Sequence, residues 1–454
     1  MLKKIGNLKT YPSSEIEESR VSIGFECVDR DLIKPEKCYD LLGKSGIKYA
    51  RCQTGWAKTE KSKGKYDFAW LDDMVDNLLS RGIRPWLSIG YGNPLYMPDV
   101  PNPTAVGCVP LYYGEEATEA WKQFARAVAE RYRGRVTHYE IWNEPNITHF
   151  WYPEKPDAKA YAMLVSMTGE IIRSENPDAR IGSVISSIKF PYIEKMLEYL
   201  HPGDIDFHCF HSYRVRAEEN TAEEVRLMRK MFDGRGFSEV EFWMGEGGRA
   251  SHFPENYWLP GQSSEHQQAV WQLRRFLCDL ECKVTKTSYF QVADMMERPY
   301  QMAKEVRKEP ARQGILNGLT YTPKKSYETI SRLATVLSGE ILPSDAFFIG
   351  YIAGNTLESL SKKLICALRN GSPLFFYWLP SEIEEERGIC GKIDLYLDGN
   401  GISMPMLVDL FTGEAYSVCA EETGAGLIAI KDLPIAEYPM MLCDRSAFEI
   451  DLKD

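Results

Sequence analysis

Short apolar runs alternate with amphipathic stretches from about Val21 to Leu337, and the alternation repeats eight times. Residues 21–25, 49–53, 85–90, 136–142, 180–185, 206–211, 240–244 and 287–292 are brief and bounded by turn formers. They read as buried parallel strands, which are covered on both faces and so lose strict polar alternation. Between and after them, helical periodicity is expected near 35–42, over 67–80, 116–133 and 157–174, near 192–200, and over 222–232, 264–278 and 325–337. Asp67 and Ser264 stand where helix N-caps belong. Eight strand–helix units at this period predict an α/β fold, a (β/α)8 TIM barrel.

After Gly339 the pattern changes. Short runs at 347–353, 364–368, 374–378, 393–397, 407–409, 415–418, 427–430 and 440–443 are divided by turn residues such as Asn370-Gly371 and Asp398-Gly399-Asn400-Gly401. This spacing predicts a C-terminal antiparallel β-sandwich domain. The expected organisation is an N-terminal strap over 1–20 that joins the sandwich, a barrel over 21–339 and a sandwich over 340–454.

Composition narrows the partners. The 454 residues carry a net charge of −11 with no basic block to offset it, which argues against nucleic acid or an anionic membrane. No run approaches the ~18 apolar residues of a membrane span. Residues 10–19 are polar and acidic where a leader would need an apolar stretch, and 11 cysteines are scattered without a disulfide-like spacing. Those two features make the cytoplasm the expected compartment. Aromatic residues reach 12 %, with 10 Trp. That suits stacking against sugar C–H faces, and it equally suits a large core. Cys278 and Cys282 lack a second pair and do not make a zinc site. No glycine-rich phosphate loop follows a strand, so neither a nucleotide cofactor nor a metal is expected.

Two glutamates carry the chemistry. Glu144, in Trp142-Asn143-Glu144-Pro145-Asn146, follows the fourth strand, and Glu246, in Met244-Gly245-Glu246-Gly247-Gly248, ends the seventh. They stand 102 residues apart, close to three βα units at a little over ~30 residues each. Strands four and seven face each other across a barrel mouth. Two carboxyl groups so placed are what a retaining glycosidase uses, one as acid/base and one as nucleophile. Arg51, near the end of strand two, carries a guanidinium that would hold one of them ionised.

At these residues the chain resembles clan A of the glycoside hydrolases, and family 39 most of all. The resemblance implies Glu144 as acid/base, Glu246 as nucleophile, Arg51 beside the nucleophile, and Asn143 bonding the sugar 2-hydroxyl. On strand six, His211 and Tyr213 share a face, and the resemblance brings one of them to Glu246 or the sugar. His208 points the other way, as a core histidine. Gln53-Thr54-Gly55-Trp56 and Gly90-Tyr91-Gly92-Asn93 look like segments of family 39-like glycosidases. There Trp56 and Tyr91 would be stacking platforms and Asn93 a hydroxyl ligand. Trp151, Tyr152, Tyr257 and Trp258 fall in rim loops. Asp294 and Glu297 resemble the family, but Phe290 stands where the clan carries Trp, which leaves the donor sugar open. The implied partner is a carbohydrate substrate, with a β-xylosidase-like activity included. The competing readings are a transglycosidase on the same site and a non-catalytic glycan-binding barrel.

Overall fold

A computed structural model describes residues 2–219, 221–253, 263–297, 310–352, 362–383, 388–424 and 426–452. The first strand, β1 (Lys3–Leu8), precedes eight strands that close into a parallel barrel. These are β2 (Val21–Gly24), β3 (Tyr49–Gln53), β4 (Arg84–Ile89), β5 (His138–Ile141), β6 (Arg180–Ser186), β7 (Phe207–His211), β8 (Glu241–Gly247) and β9 (Lys286–Tyr289). β2 pairs in parallel with both β3 and β9, and that pairing completes the ring. The eighth strand is shorter than the apolar run 287–292 suggests. Phe290 and Val292 leave its ladder to donate to the carbonyls of Gly247 and Gly24.

The barrel floor is filled by large rings. Phe207 stacks on Trp243 at 4.1 Å, and Trp86 meets Trp243 edge-on at 5.1 Å. Gly182 on β6 makes room for this packing, since a Cβ there would stand 2.1 Å from the Phe207 ring. With the floor closed by side chains, the site is left to the C-terminal ends of the strands and the loops beyond them.

The remaining strands are β10 (Ile341–Pro343), β11 (Phe348–Ile352), β12 (Lys363–Arg369), β13 (Ser372–Trp378), β14 (Ile389–Asp398), β15 (Pro405–Asp409), β16 (Glu414–Ser417), β17 (Glu421–Gly424), β18 (Leu427–Ala436), β19 (Met440–Asp444) and β20 (Ile450–Asp451). They form the β-sandwich from an eight-stranded sheet in the order β10-β12-β13-β19-β15-β16-β1-β20 and a four-stranded sheet in the order β11-β14-β18-β17. β1 lies between β16 and β20, antiparallel to both. Residue 353, the end of one expected strand, lies outside the described residues.

One barrel helix, Glu265–Glu281, is covered on its outer side by the sandwich. Ser264 caps it by accepting from Gln267 N–H. Arg274 on that helix donates to the carbonyls of Leu379, Ser381 and Glu437, and His266 Nε2 lies 2.7 Å from Glu437 Oε1. These contacts satisfy polar groups that water would otherwise have to reach. No helix among the described residues is long and apolar enough to cross a membrane.

Candidate active site

Glu144 is carried by a turn, not by β5 itself. Trp142 and Glu144 both adopt left-handed backbone, with φ of 73° and 43°. For non-glycine residues this costs about 1–3 kcal/mol each and persists only where packing enforces it. The enforcement is visible. Trp142 donates from its indole to the Phe150 carbonyl at 2.7 Å, and its ring packs against Tyr91, Trp121 and Trp151. Asn146 then clamps the turn to β6, donating to the Ser186 carbonyl and accepting from Ser186 N–H, each at 2.7 Å.

Glu246 lies on β8, where the pairing to both neighbours shifts register. The shift turns its carboxyl toward the barrel mouth, with 12 % of the side chain exposed. Gly248 permits the close passage of the next segment, because a Cβ there would stand 2.3 Å from the Phe290 carbonyl oxygen.

Between the two glutamates stands His211. Its Nδ1 is 2.8 Å from Glu144 Oε1 and 3.5 Å from Glu246 Oε2. Burial opposes the imidazolium, but the Glu246 charge and the Glu144 hydrogen bond outweigh it and raise His211 above its ordinary value. Tyr213 donates its hydroxyl to Glu246 Oε1. Burial and the Glu246 charge keep that phenol well above its usual range, so it remains a donor. Arg275, on the helix behind, donates to Ser212 Oγ at 3.1 Å and so anchors the loop that carries Tyr213.

Arg51 is fully buried and collects carboxylates from three directions. Its Nη1 is 3.1 Å from Glu246 Oε2 and 2.9 Å from Glu26 Oε2. Its Nε and Nη2 both donate to Glu140 Oε1, and Nη2 also donates to Asn143 Oδ1 at 2.9 Å. Arg51 therefore ties the nucleophile candidate, the Asn143 amide and two further acids into one buried network.

The structure thus gathers Glu144, Glu246, Arg51, Asn143, His211 and Tyr213 at one mouth. It places the other three candidates in packing. Trp56 has no exposed surface; its ring lies against Phe124 and Tyr96, and its indole donates to Glu60 at 2.6 Å. Tyr91 is buried against Phe150, and its hydroxyl accepts from Gln53 Nε2 at 3.2 Å. Asn93 is buried and bonds the Glu60 carbonyl and Leu95 N–H. Flat rings and amides after a strand fit a sugar platform and a loop core equally well in sequence; here the loops fold back over them. Trp151 is likewise buried, while Tyr257 and Trp258 lie outside the described residues. His208 is buried facing the helices, with Ser183 Oγ at 2.7 Å, and burial brings it down to about 3.

Glu26, Glu140, Asn146 and Arg275 were not anticipated from sequence. For Glu140 a signal was available: an acid inside a short apolar strand demands a buried partner. Glu144, His211 and Glu246 each offer a ligand atom within 4.8 Å of the others, the one such trio among the described residues. Both Glu246 oxygens already accept, from Arg51 and Tyr213, and the fixed guanidinium charge opposes a cation at that spot.

A (β/α)8 barrel with a β-sandwich, holding two glutamates bridged by histidine and arginine at its mouth, is similar in arrangement to the glycoside hydrolases of clan A. Residues 34–246, a little under half of the chain, match the family profile described as Glycosyl hydrolases family 39. A β-xylosidase of Geobacillus stearothermophilus is 26 % identical over 170 residues, 34 % of this chain and 31 % of that protein. A β-galactosidase of Arthrobacter sp is 24 % identical over 202 residues, 39 % of this chain and 28 % of that protein. The match thus spans about a third of the length of these relatives. Among solved structures, a family 39 glycoside hydrolase from the gut symbiont Bacteroides cellulosilyticus WH2 superposes with a TM-score of 0.66 at 16 % identity, over 96 % of this chain and 83 % of that one. That likeness is one of fold.

Proposed function

We propose that the chain is a retaining glycoside hydrolase, with Glu246 as nucleophile and Glu144 as general acid/base, acting on a carbohydrate of the β-xyloside or β-galactoside class. The observation that carries this reading is the spacing of the two acids. A carboxylate oxygen of each lies within 4.8 Å of the other, in line with the ~5–5.5 Å of retaining pairs and short of the ~6.5–9.5 Å that leaves room for an inverting water.

Their surroundings divide the roles. Glu246 accepts from Arg51 and Tyr213, which favours and orients an anion aimed at the anomeric carbon. Glu144 has the His211 ring as its neighbour, at a point where a proton can be passed to the leaving oxygen and later taken from water. Asn143, held through its Oδ1 by Arg51, would donate from its amide nitrogen to the sugar 2-hydroxyl, a bond that tightens as positive charge develops on the ring. Two carboxyls complete the double displacement, so no metal enters the proposed steps. The sugar class rests on the relatives named a β-xylosidase and a β-galactosidase.

The test is a panel of aryl glycosides differing in sugar and anomer, with the first-formed product followed by proton NMR. Hydrolysis with the substrate's own anomeric configuration supports the reading. Inverted product would sink it, and turnover of no glycoside would favour a glycan-binding barrel.

A further inference from the structure

Glu26 lies just beyond β2, buried with 2 % of its surface exposed, and it shares Arg51 Nη1 with the proposed nucleophile. Arg51 brings one positive charge to three acids, Glu26, Glu140 and Glu246. Three anions around one cation would leave an uncompensated buried charge of two, which the interior does not hold; one of them takes up a proton instead.

Counting donors tells which. Glu140 Oε1 accepts from two nitrogens of the guanidinium. Glu246 accepts from Arg51 on one oxygen and Tyr213 on the other, with His211 Nδ1 3.5 Å away. Among the described residues Glu26 has only its share of Nη1, and its Oε1 is buried without a partner there. A carboxylate oxygen stripped of both water and donors is costly, whereas a neutral carboxyl in that position is far less so. Glu140 Oε2 also lacks a partner among the described residues, so the assignment rests on the doubled guanidinium contact of its other oxygen.

We propose that Glu26 is a positioning residue that carries a proton in the working protein, leaving Arg51 to pair with Glu246 and keeping the nucleophile aligned. The inference rests on the reading of Glu246 as nucleophile. Its electrostatics agree: burial raises Glu26 to about 8 against the pull of Arg51, and the Glu246 charge pushes the same way. The other titratable groups facing it are Arg51 and Cys52 from β3, Tyr91 beyond β4, and His211 and Tyr213 beside Glu246. Burial keeps Cys52, Tyr91 and Tyr213 neutral, and neighbouring Cys27 is pushed up to about 12. Near neutral pH the groups free to change charge here are therefore Glu26 and His211, and of the two it is Glu26 that is bonded to Arg51. Once ionised it competes for Nη1 and draws the guanidinium off Glu246.

The experiment is infrared difference spectroscopy on the whole protein, paired with pH–rate profiles on an aryl glycoside. At pH 6.5 the wild type should show a protonated-carboxyl carbonyl band that E26Q lacks and E140Q retains. Because Glu144, as the proposed acid, contributes a carboxyl band of its own, the Glu26 band is the component present in wild type and E140Q but missing from E26Q, and that component should fade as pH rises past about 8. In E26Q the alkaline limb of kcat/KM should move up by a unit or more. A component lost in E140Q instead, or no protonated-carboxyl component that distinguishes wild type from E26Q at pH 6.5, overturns the proposal. Coincident alkaline limbs in wild type and E26Q overturn the positioning role. If the wild type turns over no glycoside, the glycosidase reading fails, and the infrared arm still decides where the proton sits.

Discussion

His211 Nδ1 stands 2.8 Å from Glu144 Oε1, the shortest link between the imidazole and either of the two acids it bridges. The ring is fully buried, so a change in its charge is felt by both.

This gives a pH-dependent stability. His211 is raised in the fold: burial lowers it, and the Glu246 charge and Glu144 hydrogen bond more than reverse that. A raised histidine stabilises fully below its unfolded value of 6.5, and the contribution is lost as pH rises through the folded value. The deficit of H211N relative to wild type, read from urea midpoints, should therefore be largest at about pH 5.5 and shrink in alkali. A deficit that grows with pH would reverse the assignment.

Arg51 should matter for fold and chemistry separately. R51M leaves Glu26, Glu140 and Glu246 without their shared cation, and removing one partner of a buried ion network costs about 3–5 kcal/mol. R51K keeps the charge but cannot reproduce the fork that reaches Glu140, Glu246 and Asn143 together. Its kcat should fall on the order of 10²-fold with a smaller change in KM, since the contacts act on the developing charge. An R51K variant with wild-type kcat would remove the proposed role.

Much of this was legible in the chain. The positions of Glu144 just past β5 and of Glu246 on β8 follow from counting βα units, whereas Tyr213 reaches Glu246 from the loop beyond β7, which ends at His211, so strand parity did not place it. What was illegible has physical reasons. β17 is exposed at every position, so it pairs by backbone alone and leaves no apolar alternation to read. The polar stripe of Glu265–Glu281 looks solvent-facing in sequence, yet Gln267 and Arg274 bond carbonyls of the sandwich. Glu26 gives no local signal, because its state depends on how many donors distant strands leave for it.

Trp56 separates packing from recognition. The ring is enclosed by Phe124 and Tyr96, and its N–H is bonded to Glu60. W56F removes that hydrogen bond and part of the ring, and should cost about 1–3 kcal/mol in chemical denaturation. KM for aryl glycosides should stay within twofold of wild type, roughly the scatter expected when no substrate contact is lost. A KM raised tenfold in a stably folded variant would put the ring back in the sugar site.

The two glutamates can be told apart by what azide does in their absence. E246A should abolish turnover of every glycoside, since no covalent intermediate forms. E144A should be much less impaired on an aryl glycoside with a good leaving group, which departs without a proton. Its second step remains slow because water has lost its base, so a glycosyl-enzyme builds up behind a burst of aryl alcohol. Azide needs no base, and on E144A it should attack that intermediate to give a glycosyl azide of the substrate's own configuration. On E246A it enters the vacated space directly and should give the opposite anomer. Swapped outcomes would exchange the roles of Glu144 and Glu246. Because one carboxyl oxygen of each lies within 4.8 Å of one of the other's, either acid deleted leaves the survivor close to the reacting carbon, so stereochemistry is the measurement that decides between them, more than rate.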